Sequence, residues 1–405
     1  MPVIKSRKLL IWGTVLAYFL ITIEIIIMIS PFALYFYSVY APILNYFASS
    51  PLTSWLTEFF LPHMVFVQDP FILGISYLQI LLVIGLVLFF TAAVPLYWGR
   101  FTGKGIVTFS FYSRIRHPQY LFLALSGFGL LLYWPRFIIL IFFVTMLYVY
   151  YLLARNEEWR MKQEVPGRYE KYMAAIPMFL PGEPGGKIFS LLFGWIKPKW
   201  AGILASYIFV LALSVLIGMG IRNYTVRQLQ TVQVDGITLV PVFERSKKEV
   251  AELYEQILTN QEVQEFLEMH EEVNLAYLMP GDFFLTALVT DEDRRFSNEI
   301  IERFPEVLEW HEHKFRGGLG SFFRIFYNFI GMLGSVRTDY DVERFIFVSV
   351  VDFAGQPVGS ERIFDLGLKR RPSILVDYDR FEERVVSAVQ TSEEHKWGSV
   401  PMPTF

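Results

Sequence analysis

"SRIRHPQYLFLAL", Ser113–Leu125, sets Arg114, Arg116, His117 and Pro118 directly against an apolar run. Proline suits the first turn of a helix, where its missing N–H has no intrahelical partner and its ring already holds a helical φ. The stretch therefore predicts a helix beginning at Pro118, with His117 left in the preceding loop. The apolar run continues from Gln119 to Ala154 and is interrupted by one charge, Arg136, beside Pro135 at its midpoint. This predicts a helical hairpin, with segments near 119–134 and 136–154 joined at "YWPR". Its two ends return to one side of the membrane, so His117 and the "ARNEEWR" segment, residues 154–160, become neighbours.

Composition agrees with a membrane setting. The chain has 405 residues, 54% of them hydrophobic and 19% charged, too apolar for an ordinary soluble protein. A span needs about 20 apolar residues, and further candidates lie near 9–29, 71–98 and 201–221. The run Leu9–Ile29 reads as a retained helix, because no small-residue cleavage site follows it. Its single charge, Glu24, is either a protonated or helix-paired carboxylate or part of a functional site. Residues 31–69 are aromatic-rich, broken by proline and free of Lys and Arg.

Charge divides the chain. Residues 1–221 carry 16 Lys and Arg against 8 Asp and Glu, and residues 222–405 carry 20 against 31, giving net charges of +8 and −11. The acidic part argues against nucleic acid as a partner. The N-terminus holds three basic residues, Gly99–Arg116 four and residues 155–200 eight, and the positive-inside rule places all three regions in the cytoplasm. Five spans then leave the C-terminal part extracytoplasmic; a sixth crossing at Pro31–Phe47 would reverse that. The chain has no cysteine, which excludes disulfides and thiolate chemistry.

The expected architecture is an α-helical polytopic membrane protein of about five transmembrane helices, residues 1–221, followed by a soluble α+β domain, residues 222–405. In that domain helical periodicity runs over 246–270, strand-like stretches are "VNLAYLM", "FFLTALVT" and "RFIFVSVVDF", and a further helical piece is expected near 381–390. The apolar stretch Ser321–Leu333 suits either a core or a bilayer surface.

The chemistry-bearing residues gather at the hairpin's cytoplasmic ends. A helix start offers backbone amides to a carboxylate, and Arg116 and His117 add cationic character. Glu157 and Glu158 are expected at the end of the return helix, where acids need a compensating donor. Cations, amides, carboxylates and tyrosines together suit a zwitterionic ligand such as S-adenosylmethionine. Tyr112, Tyr120 and Tyr172 suit its sulfonium by cation–π attraction and equally suit an interfacial belt.

These segments resemble the isoprenylcysteine carboxyl methyltransferase and phospholipid methyltransferase family of integral membrane enzymes. The resemblance rests on Tyr112, on Arg116-His117-Pro118-Gln119-Tyr120, on the hairpin, on Glu157-Glu158, and on the trailing Tyr169, Tyr172, Pro177 and Pro181, over about residues 70–185. It implies that Tyr112, His117, Pro118, Gln119, Tyr120 and Glu157 hold S-adenosylmethionine, with Lys104–Val107 lining the same cofactor. It also places Arg155 toward the substrate. Chemically, a carboxylate acceptor would be held by Arg155 or Arg116, and an amine acceptor would need a base, with Glu157 and Glu158 (the catalytic candidate) available. Ser110 departs from the glycine usual before the tyrosine, and Lys104 from a histidine found in some members. The implied partner is a lipid or lipidated acceptor from the bilayer, and the oligomeric state stays open.

Two other readings remain. Sterol-reductase-like NADPH enzymes share Arg-His-Pro-x-Tyr but typically continue Gly-Glu, where this chain has Leu121-Phe122. The chain also suits a non-catalytic membrane sensor or scaffold acting through its acidic domain. His311 and His313 in "WHEHK" read as surface residues and no metal site is expected; "RGGLG", Arg316–Gly320, lacks the Lys-Ser/Thr of a phosphate loop and reads as a turn.

Overall fold

The computed structural model describes residues 44, 46–63, 65–101, 107–281 and 342–390. Leu9–Ile29 with Glu24, Lys104, "FFLTALVT", His311, His313, Arg316–Gly320, Ser321–Leu333 and most of Pro31–Phe47 lie outside the described residues. The chain forms two compact units, one of Met1–Ser30 and Pro70–Asn223, the other of Pro31–Asp69 and Tyr224–Phe405.

The first unit is helical. Helix α1, Pro70–Tyr77, leads through a tight turn at Leu78–Ile80 into α2, Leu81–Phe101; α3 is Pro118–Tyr133, α4 Phe137–Glu164, α5 Arg168–Ala175, α6 Pro184–Phe193 and α7 Lys199–Gln228. Among the described residues, three helical stretches are long and apolar enough to cross a membrane: Pro70–Gly99, Phe137–Glu164 and Lys199–Gln228, of 30, 28 and 30 residues. At 1.5 Å per residue a 30-residue helix is about 45 Å long, against a hydrocarbon core of about 30 Å. The apolar helix α3 is shorter, at 16 residues. It begins where Pro118 fits and stops at the Trp134-Pro135 junction, because the residue before a proline is driven out of the α region.

Helix α4 runs ten residues past the expected end at Ala154. Residues 155–164 are mostly straight-chain helix formers, and nothing stops the helix until Val165-Pro166. Glu157 and Glu158 therefore lie about two turns inside the helix rather than at its end.

Helices α2 and α3 meet backbone to backbone. A Cβ placed on Gly129 would sit 2.1 Å from the Leu82 nitrogen, and one on Gly85 2.4 Å from the Ser126 nitrogen. The Ser126 hydroxyl donates to the Leu82 carbonyl at 2.9 Å. Small residues of this kind let apolar helices associate by van der Waals packing where no hydrophobic difference drives them together. Between α4 and α7 the contact is aromatic and polar: Thr145 Oγ1 lies 3.0 Å from Tyr207 Oη, and Tyr148 Oη donates to Ser206 Oγ at 3.2 Å.

Among the described residues the second unit is built on a six-stranded mixed sheet in sequential order: β1 Val232–Val234, β2 Ile237–Pro241, β3 Val273–Pro280, β4 Val342–Val351, β5 Lys369–Asp379 and β6 Arg384–Gln390. All neighbours are antiparallel except β2 and β3. That parallel pair needs a crossover, supplied by α8, Lys247–Ile257, and α9, Gln261–Met269. The expected helical stretch 246–270 is thus two helices, each opened by its own side-chain cap: Ser246 accepts from the Glu249 amide and Asn260 from the Val263 amide.

The sheet is buried on both faces. One face packs Leu239, Ala276, Leu278, Phe345, Phe347 and Val376 under Val250, Leu253, Tyr254 and Phe266 of the two helices. The other packs Val240, Leu275, Tyr277, Ile346 and Val348 with Val65. Strands covered on both sides read as continuous apolar runs, as "VNLAYLM" does. Where β3 slips register between Val273 and Leu275, the Asn274 carboxamide fills the gap, accepting from the Val350 amide at 2.9 Å and donating to the carbonyls of Val350 and Val358.

Two expectations change here. Residues 384–390 form an edge strand instead of a helix: Val385, Val386 and Val389 are β-branched, which favours the pleated conformation, and β5 offers an open edge for them to pair with. The stretch 31–69, which hydropathy alone leaves with the membrane half, belongs to the sheet unit. The Phe66 amide donates to the Val242 carbonyl at 2.8 Å, Phe66 stacks on Phe243, and Glu58 pairs with Arg370 at 2.6 Å with both side chains buried.

The glycine contact makes a prediction. Gly129→Leu forces a side chain into the backbone of α2 and is expected to destabilise the detergent-purified protein by about 1–3 kcal/mol, read as a lower thermal midpoint. An unchanged midpoint would rule out the close α2–α3 approach.

Candidate functional site

The loop before α3 is held by main-chain pairing. The amides of Arg116 and His117 donate to the carbonyls of Pro177 and Met178 at 2.9 and 3.1 Å. In that strap Pro177 holds Ile176 extended at φ −117° and ψ 128°, since a proline pushes the residue before it toward β, and Pro181 with Gly182 forms the turn in which the Glu183 amide donates to the Leu180 carbonyl. The trailing Tyr/Pro pattern thus has a structural role. Tyr172 Oη donates to the Tyr112 carbonyl at 2.6 Å, and Arg116 Nη1 donates to the carbonyls of Met173, at 2.9 Å, and Ile176. The guanidinium thereby caps the C-terminal end of α5, where a cation meets the negative end of the helix dipole.

Around that scaffold the charged groups close into one cluster. Arg116 Nε donates to Glu158 Oε1 at 2.7 Å, with both side chains below 10% exposure. His117, at the N-cap of α3, is also buried. Its Nε2 stands 3.4 Å from Glu158 Oε1 and its Nδ1 3.5 Å from Glu157 Oε2. Tyr120 Oη donates to Glu157 Oε1 at 2.7 Å. Tyr112 Oη reaches the Ala92 carbonyl at 3.2 Å and Gln119 Oε1 at 3.1 Å. Tyr150 stacks on Tyr120 with ring centres 5.6 Å apart, and Leu123, Met146, Leu153, Ala154 and Met178 wall the cluster with apolar side chains.

The two glutamates differ in access. Glu158 is 7% exposed and shared by Arg116 and His117, whereas Glu157 is 23% exposed. Burial disfavours a charged His117, yet hydrogen bonds and charge from Glu157 and Glu158 outweigh it, and the imidazole's pKa is raised above its ordinary value. With the imidazole protonated, Arg116, His117, Glu157 and Glu158 balance to zero. Burial raises the phenols of Tyr112 and Tyr169, and that of Tyr172 to about 12, the last against the opposing pull of Arg116. These phenols stay neutral hydrogen-bonding groups at ordinary pH and are not bases.

Tyr112, His117, Pro118, Gln119, Tyr120, Glu157 and Glu158 are therefore brought together. Arg155 is not: it is exposed, its Nη1 donates to Tyr151 Oη at 3.1 Å, and its guanidinium lies over the Tyr151 ring. On α4 the buried positions Met146, Tyr150, Leu153, Ala154 and Glu158 recur at helical spacing, and Arg155 falls about 100° off that stripe. Ser110 has φ 57°, a left-handed conformation that glycine adopts without the steric cost of a Cβ. Of Lys104–Val107, Val107 is described and buried.

Sequence reasoning did not single out Tyr150, or Glu183, whose Oε1 accepts from the Met178 amide at 2.7 Å. It also left Arg116 as a ligand-facing cation, where the structure buries it. A signal for Tyr150 was its position seven residues before Glu157, two helical turns on the same face. Among the described residues no group of three or more His, Asp or Glu is placed to hold a metal ion. No protein-family model matches the chain, and no curated protein and no solved structure shows significant similarity to it.

Two outcomes follow from the cluster. Glu158→Leu leaves a buried guanidinium without its carboxylate and is expected to cost about 3–5 kcal/mol, whereas the double change Arg116→Met with Glu158→Leu costs less; equal losses of thermal stability in both proteins would refute a coupled pair. The His117 pKa is raised on folding, so its stabilisation is complete below its unfolded value of about 6.5 and is lost as pH rises through the folded value. The gap in thermal midpoint between the native protein and His117→Gln should therefore shrink at alkaline pH. A gap independent of pH would mean that the imidazole is not charged in the pair.

Proposed function

We propose that the chain is a multi-pass membrane enzyme that transfers a methyl group from S-adenosylmethionine to a lipid or lipidated acceptor. The observation that carries this reading is the cluster at the start of α3. The residues on which the resemblance rests, separated by about forty positions, meet there, with Glu157 as the more exposed carboxylate. The donor set suits the cofactor: a carboxylate for an amine, tyrosine faces for a sulfonium, and a helix N-terminus for a carboxylate.

The cofactor supplies an activated methyl group, so the protein needs no nucleophile of its own. Its residues bind, align and exclude water, and alignment alone is worth roughly 7–11 kcal/mol. Arg116 and Glu158 act as positioning residues that fix His117 and the strap. Glu157 and Tyr120 face the ligand, and Glu157 also serves as the base for an amine acceptor. Arg155, on its own face of α4, is left for the anionic part of an acceptor.

The proposed topology has five crossings: Leu9–Ile29, the continuous α1–α2, α3, α4 and α7. Residues 58 and 69 pair with 370 and 224 inside the second unit, so the chain on either side of 70–228 shares one face of the membrane. Four crossings between them satisfy this, being even. The basic loops that carry the cluster then lie on the opposite face, the cytoplasmic one, and the sheet unit is extracytoplasmic.

Calorimetry on the full-length protein in nanodiscs tests the reading. S-adenosylmethionine is expected to bind, and Glu157→Gln or Tyr120→Phe to weaken it at least about tenfold, or ~1.4 kcal/mol, while Arg155→Ala leaves binding intact. Absence of S-adenosylmethionine binding, with NADPH bound instead, would replace methyl transfer by reduction.

A further inference from the structure

We propose that α6 and the segment after it form a docking surface for an anionic phospholipid leaflet, with the helix lying along the boundary between headgroups and acyl chains. The proposal is independent of the methyl-transfer reading.

Helix α6 has three flanks. Phe189 and Phe193 are half-buried against the start of α7, where Phe193 meets Phe209 edge-on at 5.8 Å and Phe189 Cζ lies 3.4 Å from where a Cβ on Gly202 would stand. A second flank carries Ile188, Leu191 and Leu192, spaced i, i+3 and i+4, and Trp195 follows two residues after the helix ends. All four are exposed, Leu191 by 79% and Trp195 by 77%. The third flank carries Lys187 and Ser190, also exposed. An uncovered apolar stripe beside a basic polar flank is the pattern of a helix that lies in a membrane interface.

Two further observations select the occupant. After Glu183 the next acidic residue is Asp235, while Lys187, Lys197 and Lys199 lie in between; a surface with one sign of charge fits anionic headgroups. Only Gly194–Pro198 separates α6 from the membrane-length α7, a link that spans at most about 20 Å. The helix is thereby tethered to the level at which α7 enters the apolar layer, and the exposed Trp195 and Trp200 flank that point as interfacial anchors do. Glu183, immediately before α6, accepts from the Met178 amide, and the Met178 carbonyl holds the His117 amide. A helix seated on the leaflet therefore braces the strap that orders the charged cluster.

The native chain has no cysteine, so Leu191→Cys and Ser190→Cys each give a single site for a nitroxide label. The labelled full-length protein is placed in nanodiscs of phosphatidylcholine and of phosphatidylcholine mixed with phosphatidylglycerol, and collision with oxygen is compared with collision with a water-soluble nickel chelate. The Leu191 label is expected to be several-fold more protected from nickel than the Ser190 label. Its protection should rise in the anionic discs and fall back when Lys187, Lys197 and Lys199 are all changed to Gln. Equal nickel access at both positions, or protection that ignores lipid charge, would overturn the proposal. Protection that persists in detergent and grows with protein concentration would overturn it too, assigning the surface to a second copy of the chain.

Discussion

The pair between Arg116 and Glu158 is the contact on which the charged end of the helical unit depends. A guanidinium and a carboxylate below 10% exposure are tolerable only together, since each alone would carry an uncompensated desolvation cost. Their pairing joins the loop before α3 to α4 about two turns before that helix ends. The remaining donors of Arg116 reach the last carbonyls of α5, and Glu158 in turn holds His117. One side chain thus sets the relative position of three elements, and the cluster's geometry follows from it.

That arrangement divides labour between adjacent glutamates. Glu158 points into the helical stripe that packs on α3 and is consumed by internal partners; Glu157, one position earlier, lies at the stripe's edge, bonded to Tyr120 and more open to solvent. Glu158 is thereby fixed from two sides by Arg116 and His117, while Glu157 keeps more access to solvent. The neutral tyrosines around them contribute hydrogen bonds and ring faces without adding charge.

The sheet unit solves a different problem. A sheet needs cover on both faces, and α8 and α9 cover only one. The other face takes the segment that precedes the first membrane-length helix, anchored by Phe66 on Phe243 and by Glu58 on Arg370. Arg370 also donates to the carbonyls of Ile363 and Asp365, so the same guanidinium fixes the loop that leads into β5.

Much of this was legible in the sequence because it follows from local rules. Pro118 set the start of α3, Trp134-Pro135 its end, apolar runs located the long helices, and "VNLAYLM" and "RFIFVSVV" read directly as strands. The β1–β2 hairpin was not read, although "VDGIT" carries its signal: Asp235 and Gly236 both take positive φ, as a two-residue hairpin turn requires. What the sequence by itself determined is where backbone propensity and hydropathy act, within about ten residues. What only the tertiary structure decided are the choices that depend on a distant partner: residues 384–390 as strand because β5 has an edge to pair, Glu58, Val65 and Phe66 as partners of the sheet unit, Arg116 as a buried strut and Arg155 as an exposed side chain. The last two are both arginines close to an apolar helix, and local sequence does not distinguish them; the difference is which side of α4 packs against α3, and that is set by the packing of whole helices.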